Sequence, residues 1–168
     1  MPHWIRKRKT QINLQRIRRR DGDYTVKSIN TNETIIELSA MAVVMCYGKI
    51  LSINEMIYGK ETLSLPKGHK EKKELLLETA IRECYEETNI VISKEDFVKE
   101  LKPYSYEFLT PENKLIRKKI VPFLFEVQTE GNPISKEERI LSVQWMGKDK
   151  FIDKCSYDNV KLIVKEIL

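Results

Sequence analysis

What this 168-residue chain lacks narrows its possibilities first. It has no apolar run close to the roughly 20 residues that a helix needs to cross a bilayer. The longest run, around residues 40–47, is far shorter, so no membrane partner is expected. The N-terminus lacks an apolar leader core, because Arg6 to Lys9 interrupt any such run at once. Cysteine is scarce: Cys46, Cys84 and Cys155 are odd in number and widely spaced. That spacing excludes a disulfide framework and a CxxC metal knuckle. Reduced thiols in a cytoplasmic protein are the simplest expectation. The chain also has no internal repeat and no low-complexity linker.

What is present suits one globular domain. Apolar residues make up 41% of the chain and charged residues 33%, enough apolar material for a sizeable core. The net charge of +5 is unevenly placed. Eight basic residues (Arg6, Lys7, Arg8, Lys9, Arg16, Arg18, Arg19 and Arg20) and no acid fall in the first 20 positions, which leaves the rest of the chain slightly acidic. Residues 1–37 therefore read as a basic N-terminal segment, and 38–168 as the domain proper. Such a block suits a polyanion such as RNA, an inositol phosphate or a membrane surface. It equally suits a solvated arm or strands with charged outer faces, since no aromatic ladder accompanies the charges.

Hydropathy patterning gives a mixed set of elements. Residues 4–20 fit neither the helical nor the strand period. Asp21-Gly22-Asp23 marks a turn, and residues 24–29 suit a short strand. Residues 39–47 read as a buried strand that turns at Tyr47-Gly48-Lys49 into a second one. Residues 62–65 are extended up to Pro66, where the Pro-Lys-Gly stretch breaks them. Residues 72–87 form the clearest helix, with Leu77, Ala80, Ile81 and Cys84 in one apolar stripe and Asn89 at its end. Residues 97–109 read as a strand with Tyr104, Tyr106 and Phe108 on one face, and Thr110-Pro111-Glu112-Asn113 as a turn. Strands at 115–127 and 139–146 follow, then a closing helix capped by Ser156 or Asp158. The expectation is an α/β (α+β) sandwich, a mixed sheet flanked by helices.

The helix carries the chemistry. Glu83, Glu86 and Glu87 stand at i, i+3 and i+4, so their carboxylates share one face. Three like charges together cost free energy unless something neutralises them. A hard divalent cation does so through carboxylate oxygens, and it would also polarise a phosphoryl oxygen. Taken alone, such a face is more often merely solvated. The surroundings add weight. Gly68 precedes Glu74 with five residues between, and seven residues separate Glu74 from Arg82-Glu83. The text GHKEKKELLLETAIRECYEETNI resembles the Nudix box at every fixed position except the last glycine, here Asn89. Asn tolerates the left-handed conformation that ends a helix, so this departure casts little doubt on activity.

The resemblance implies a Nudix fold over residues 38–168 and a hydrolase that splits a diphosphate bond with Mg²⁺, or with Mn²⁺. It implies Glu83, Glu86 and Glu87 as metal ligands and catalytic residues, together with Gly68, and a supporting role for Glu74 and Arg82. Arg82 can pair with Glu74 or Glu78. The general base of such enzymes often lies outside the box; Glu126, Glu137 and Glu138 are candidates.

Leu65-Pro66-Lys67-Gly68-His69 resembles the LPKGH stretch of dinucleoside tetraphosphate hydrolases and diphosphoinositol polyphosphate phosphohydrolases. Lys67 and His69 are then candidate phosphate donors. Tyr106, sixteen residues past the box, is a candidate substrate contact, or simply core. Arg117, Lys118 and Lys119 would extend a cationic floor or a solvated face. A small anionic nucleotide is the expected substrate, dinucleoside tetraphosphate foremost. The alternatives are an RNA 5′-end pyrophosphohydrolase that uses the basic segment, an inositol pyrophosphate phosphohydrolase, and a non-catalytic nucleotide-binding module. The sequence leaves the oligomeric state open.

Overall fold

The computed structural model describes residues 12–19, 24–30, 34–110 and 112–167. The chain forms two compact units, one made of residues 38–104 and 119–168, the other of residues 1–37 and 105–118.

The larger unit is built on strands β3 (Ile35–Cys46), β4 (Lys49–Ile57), β5 (Lys60–Ser64), β6 (Lys67–His69), β7 (Phe97–Glu100), β9 (Leu115–Glu126) and β10 (Ile140–Gly147). Their order is β10-β4-β3-β9, with β5 on β4, β6 on β3 and β7 on β9. β3 is buried on both faces, and its alternation sorts the core. Met41 and Val43 point into one cluster with Phe151, Val160, Ile163 and Val164, which covers the face with helices α2 (Lys148–Lys154) and α3 (Asp158–Lys165). Ala40, Ala42, Val44 and Cys46 point into the other with Ala80 and Cys84 of helix α1 (Leu76–Thr88). The sheet is thus sandwiched between α1 and the α2–α3 pair, as the mixed pattern implied. Cys46, Cys84 and Cys155 are all buried free thiols. Among the described residues, no helix is long and apolar enough to cross a membrane.

In the smaller unit, β1 (Ile12–Arg19) and β2 (Tyr24–Asn30) pair antiparallel from Ile12↔Asn30 to Arg18↔Tyr24. β8 (Tyr104–Leu109) runs parallel to β1 through Arg18↔Phe108 and Arg19↔Leu109, so the strand pairings are of both kinds. Arg16, Arg18 and Arg19 thus fall in a strand that the patterning of residues 4–20 did not resolve. Arg6 to Lys9, Arg20 and the Asp21-Gly22-Asp23 turn lie outside the described residues.

Several expected boundaries move. Helix α1 starts at Leu76, not at residue 72, because Lys73 takes a left-handed φ of 64° in the preceding turn. It ends as expected, with Asn89 left-handed at φ 61° and its N–H on the Tyr85 carbonyl. The expected strand 97–109 is two strands, β7 and β8, interrupted at Leu101-Lys102-Pro103. Lys67-Gly68-His69 is not a loop but strand β6, with Gly68 opposite Ala40 of β3. Helix α2 was not foreseen. Ser156 does not cap the closing helix; its hydroxyl accepts the Leu63 N–H at 2.9 Å, and α3 has no side-chain cap.

Candidate active site

Strand β6 and helix α1 bring the box together in the larger unit. Gly68 faces Glu83 so closely that a Cβ there would lie 2.0 Å from the Glu83 carboxyl carbon. The glycine is required by this approach and not by its backbone angles. It leaves a cradle for the Glu83 carboxylate that any side chain would fill.

Arg82 is the hub of the outer half. Its Nε donates to Glu74 Oε1 at 2.8 Å and its Nη2 to Glu74 Oε2 at 3.2 Å. The same Nη2 donates to the His69 carbonyl at 2.9 Å, which fastens the helix to β6. Nη1 donates to Glu83 Oε1 at 2.7 Å and to Glu86 Oε2 at 3.1 Å. Two box acids therefore converge on one cationic nitrogen. Bonds from Arg82 outweigh burial and pull the Glu74 carboxyl down to about 2. Of the two acids open to Arg82, Glu74 takes it. Glu78 instead accepts the Leu75 N–H at 2.8 Å and pairs with Lys94 at 3.5 Å.

The inner half is built on Glu87, which is 1% exposed. Its Oε1 accepts from Arg139 Nη2 at 2.9 Å, while its Oε2 is buried without a hydrogen-bond partner. Burial, against the opposing charges of Lys67 and Arg139, pushes its carboxyl up to about 8. Burial likewise raises Glu83 above the ordinary carboxylate range, opposed by Arg82.

Two residues here escaped the sequence reading. Glu55 on β4 is 1% exposed and holds Lys67 Nζ at 3.5 Å and Arg139 Nη1 in a short ion pair. Arg139 also bonds Glu137 at 2.9 Å. No spacing rule links positions 55, 67, 87 and 139. The only sequence signal was an acid inside a strand that alternates it with Leu51 and Ile53.

Of the three outside acids, only Glu137 joins this group; its charge also acts on Glu83. Glu126 lines a separate open cavity of about 790 Å³ with Tyr47, Lys99 and Lys148. Glu138 lies exposed in the turn before β10. His69 is exposed, and its backbone serves Arg82. Tyr106 belongs to the smaller unit, 40% exposed, with its ring 6.1 Å from Phe108. Arg117, also there, donates to Glu107 at 2.7 Å, so that cation is already answered by an acid.

Among the described residues, no three His, Cys, Asp or Glu side chains converge as a ready metal-binding group. The carboxylates are divided between two arginines: Glu83 and Glu86 pair with Arg82, and Glu87 with Arg139. The donor set nevertheless fits a hard divalent ion. Two carboxylates already meet at one positive centre, and the third carries an orphaned buried oxygen.

Comparison with known proteins finds relatives of this chain. Phosphatase NudJ of Escherichia coli strain K12 is 31% identical over 93 residues, which is 55% of either chain. The match thus spans about half the length of these curated relatives. The Ap4A hydrolase of C. elegans, solved as a binary complex, shares the fold at a TM-score of 0.62 and 19% identity, over 77% of this chain and 93% of that one. A bifunctional NMN adenylyltransferase/ADP ribose pyrophosphatase from Francisella tularensis, complexed with AMP and a Mn ion, aligns at 0.58 and 22%, over 77% and 40%. The NUDIX domain model matches residues 37–163, a span that contains the Gly68–Ile90 box and its Arg82 and Glu87 clusters, and the chain belongs to the Nudix hydrolase family.

Proposed function

We propose that this chain hydrolyses a diphosphate bond in a nucleoside polyphosphate with the help of Mg²⁺, and that dinucleoside tetraphosphate is its substrate. The observation that carries this reading is Glu87, a fully buried carboxylate with an orphaned oxygen, on one helix face with Glu83 and Glu86. A buried acid left half-satisfied costs stability, which argues for a task beyond folding.

Glu83, Glu86 and Glu87 would hold the divalent ion, with Mn²⁺ as a substitute. When bound, it would withdraw charge from a phosphoryl oxygen and lower the pKa of a coordinated water. Lys67 and His69 bind and orient the phosphates, and Lys67 also offsets the acids that would repel them. Glu137, beside Arg139 and within electrostatic reach of Glu83, takes the proton from the attacking water. The new P–O bond forms from that water, the bridging P–O bond breaks, and a nucleotide leaves with the electron pair. Gly68 and Arg82 act earlier, holding the Glu83 carboxylate in its cradle before substrate arrives.

A hydrolysis screen tests this. The panel is dinucleoside tetraphosphate, ADP-ribose, an oxidised dGTP, an inositol pyrophosphate and 5′-triphosphate RNA, each with Mg²⁺, Mn²⁺ or EDTA. Strong cleavage of the dinucleotide with metal, absent with EDTA, is the expected result. Preference for the RNA would move the substrate to RNA ends and give the basic segment a role. Silence across the panel would favour a binding module.

A further inference from the structure

We propose that Glu55 is a positioning residue, whose buried carboxylate holds the Lys67 ammonium and the Arg139 guanidinium side by side next to Glu87 as a clamp for the substrate's diphosphate. The proposal rests on the hydrolase reading above and names the device by which that site receives an anion.

The placement begins with β4. Strand alternation puts Glu55 on the same side as Leu51 and Ile53, both wholly buried, so packing alone would favour an apolar residue. Replacing a buried ion pair with apolar residues is often neutral or stabilising. A carboxylate retained at such a position therefore calls for a reason other than stability.

Its two oxygens are divided between two cations. Oε1 faces Lys67 Nζ at 3.5 Å, and Oε2 pairs with Arg139 Nη1. With Nη1 held by Glu55, the other end of the guanidinium, Nη2, reaches Glu87 Oε1 and Glu137 Oε2, both at 2.9 Å. The backbone supports this aim. Glu55 is the register partner of Ile140, and the Met56 N–H donates to the Arg139 carbonyl at 2.7 Å. On the other edge, the Thr62 hydroxyl donates to the Glu55 carbonyl at 3.3 Å.

A diphosphate entering this site meets the repulsion of Glu83, Glu86 and Glu87. Fixed cations offset that repulsion most effectively when their flexibility is already lost before binding. Glu55 supplies this fixation to both at once, whatever Glu87 is engaged with.

The test is calorimetric binding of α,β-methylene-ADP with saturating Mg²⁺, alongside steady-state kinetics on the substrate found in the screen. Glu55→Gln is expected to weaken binding about tenfold and to raise KM by a similar factor, more than it lowers kcat. In a Lys67→Met/Arg139→Met background the same change is expected to cost less than about twofold, because the groups it acts through are gone. Should Glu55→Gln not fold, Arg139→Met, at a partly exposed position, is expected to show the tenfold loss by itself. Probe binding as tight as wild type, a full loss that persists in the double background, or a wild type that does not bind the probe would each overturn the clamp. Glu55-dependent binding without turnover of any nucleotide would keep the clamp and sink the hydrolase reading. Turnover that needs Glu87, with binding and KM indifferent to Glu55, would sink the clamp alone.

Discussion

Helix α1 contributes to two arginine–carboxylate clusters of similar composition and opposite physics. Around Arg82, each acid is engaged: Glu74 takes two bonds from the guanidinium, Glu83 and Glu86 one each, and the His69 carbonyl a fifth. Its partner Glu74 is held well below the ordinary carboxylate range. Around Arg139, Glu55 and Glu137 are paired, but Glu87 keeps an orphaned buried oxygen and its carboxyl rises to about 8. The first cluster spends its charge on holding β6 against the helix. The second holds charge in reserve, as a site for chemistry should. Composition does not separate the two roles; the completeness of pairing does.

Breaking the inner cluster is expected to have the largest effect. Glu87→Gln keeps the shape and removes the charge, and kcat/KM is expected to fall about a thousandfold in the metal-dependent assay. Gly68→Ala comes next. The new methyl must displace the end of the flexible Glu83 side chain, so activity is expected to fall about a hundredfold with little change in Tm. Loss of stability comparable to the loss of activity would show that Gly68 serves folding instead.

Arg82→Ala should break the outer cluster in the opposite sense. It strands Glu74, and chemical denaturation is expected to show a loss of about 2 kcal/mol. In their response to pH the clusters differ in sign. Glu74 is lowered on folding from 4.5 to about 2, so its contribution is complete above pH 4.5 and is lost as pH falls towards 2. Glu87 is raised from 4.5 to about 8, so the folded state binds the extra proton between those values. Metal-free protein is therefore expected to lose stability as pH rises from about 4.5 to 8. Adding Mg²⁺ at pH 8 is expected to recover it, because the ion takes the place of the proton. Denaturation curves below pH 4.5 check the Glu74 sign, and curves at pH 6 and 8, with EDTA and with Mg²⁺, check the Glu87 sign.

Of the outer cluster, the Glu74–Arg82 pair was legible in the sequence, because the two fall at i and i+8 along the box; the bonds from Arg82 to Glu83 and Glu86 were not foreseen. The apolar stripe of α1, its Asn89 end and the Tyr47-Gly48 hairpin were readable for the same reason. The inner cluster was not, since the register of β4 with β10 sets Glu55 beside Arg139, and Glu87 joins them from helix α1, far away in sequence. Strand β1 was obscured by its charges, and α2 is too short to impose a period. The break between β7 and β8 lay at Pro103, a residue that a reading of unbroken alternation passed over.

The most direct measurement of the central claim is hydrolysis of dinucleoside tetraphosphate in ¹⁸O-labelled water with Mg²⁺, comparing wild type with Glu87→Gln by mass spectrometry of the products. The account predicts label in one phosphate product of the wild type and almost none with the variant or with EDTA. Equal labelling by wild type and variant would contradict it, because the chemistry would then not depend on the buried carboxylate on which this reading of the site is built.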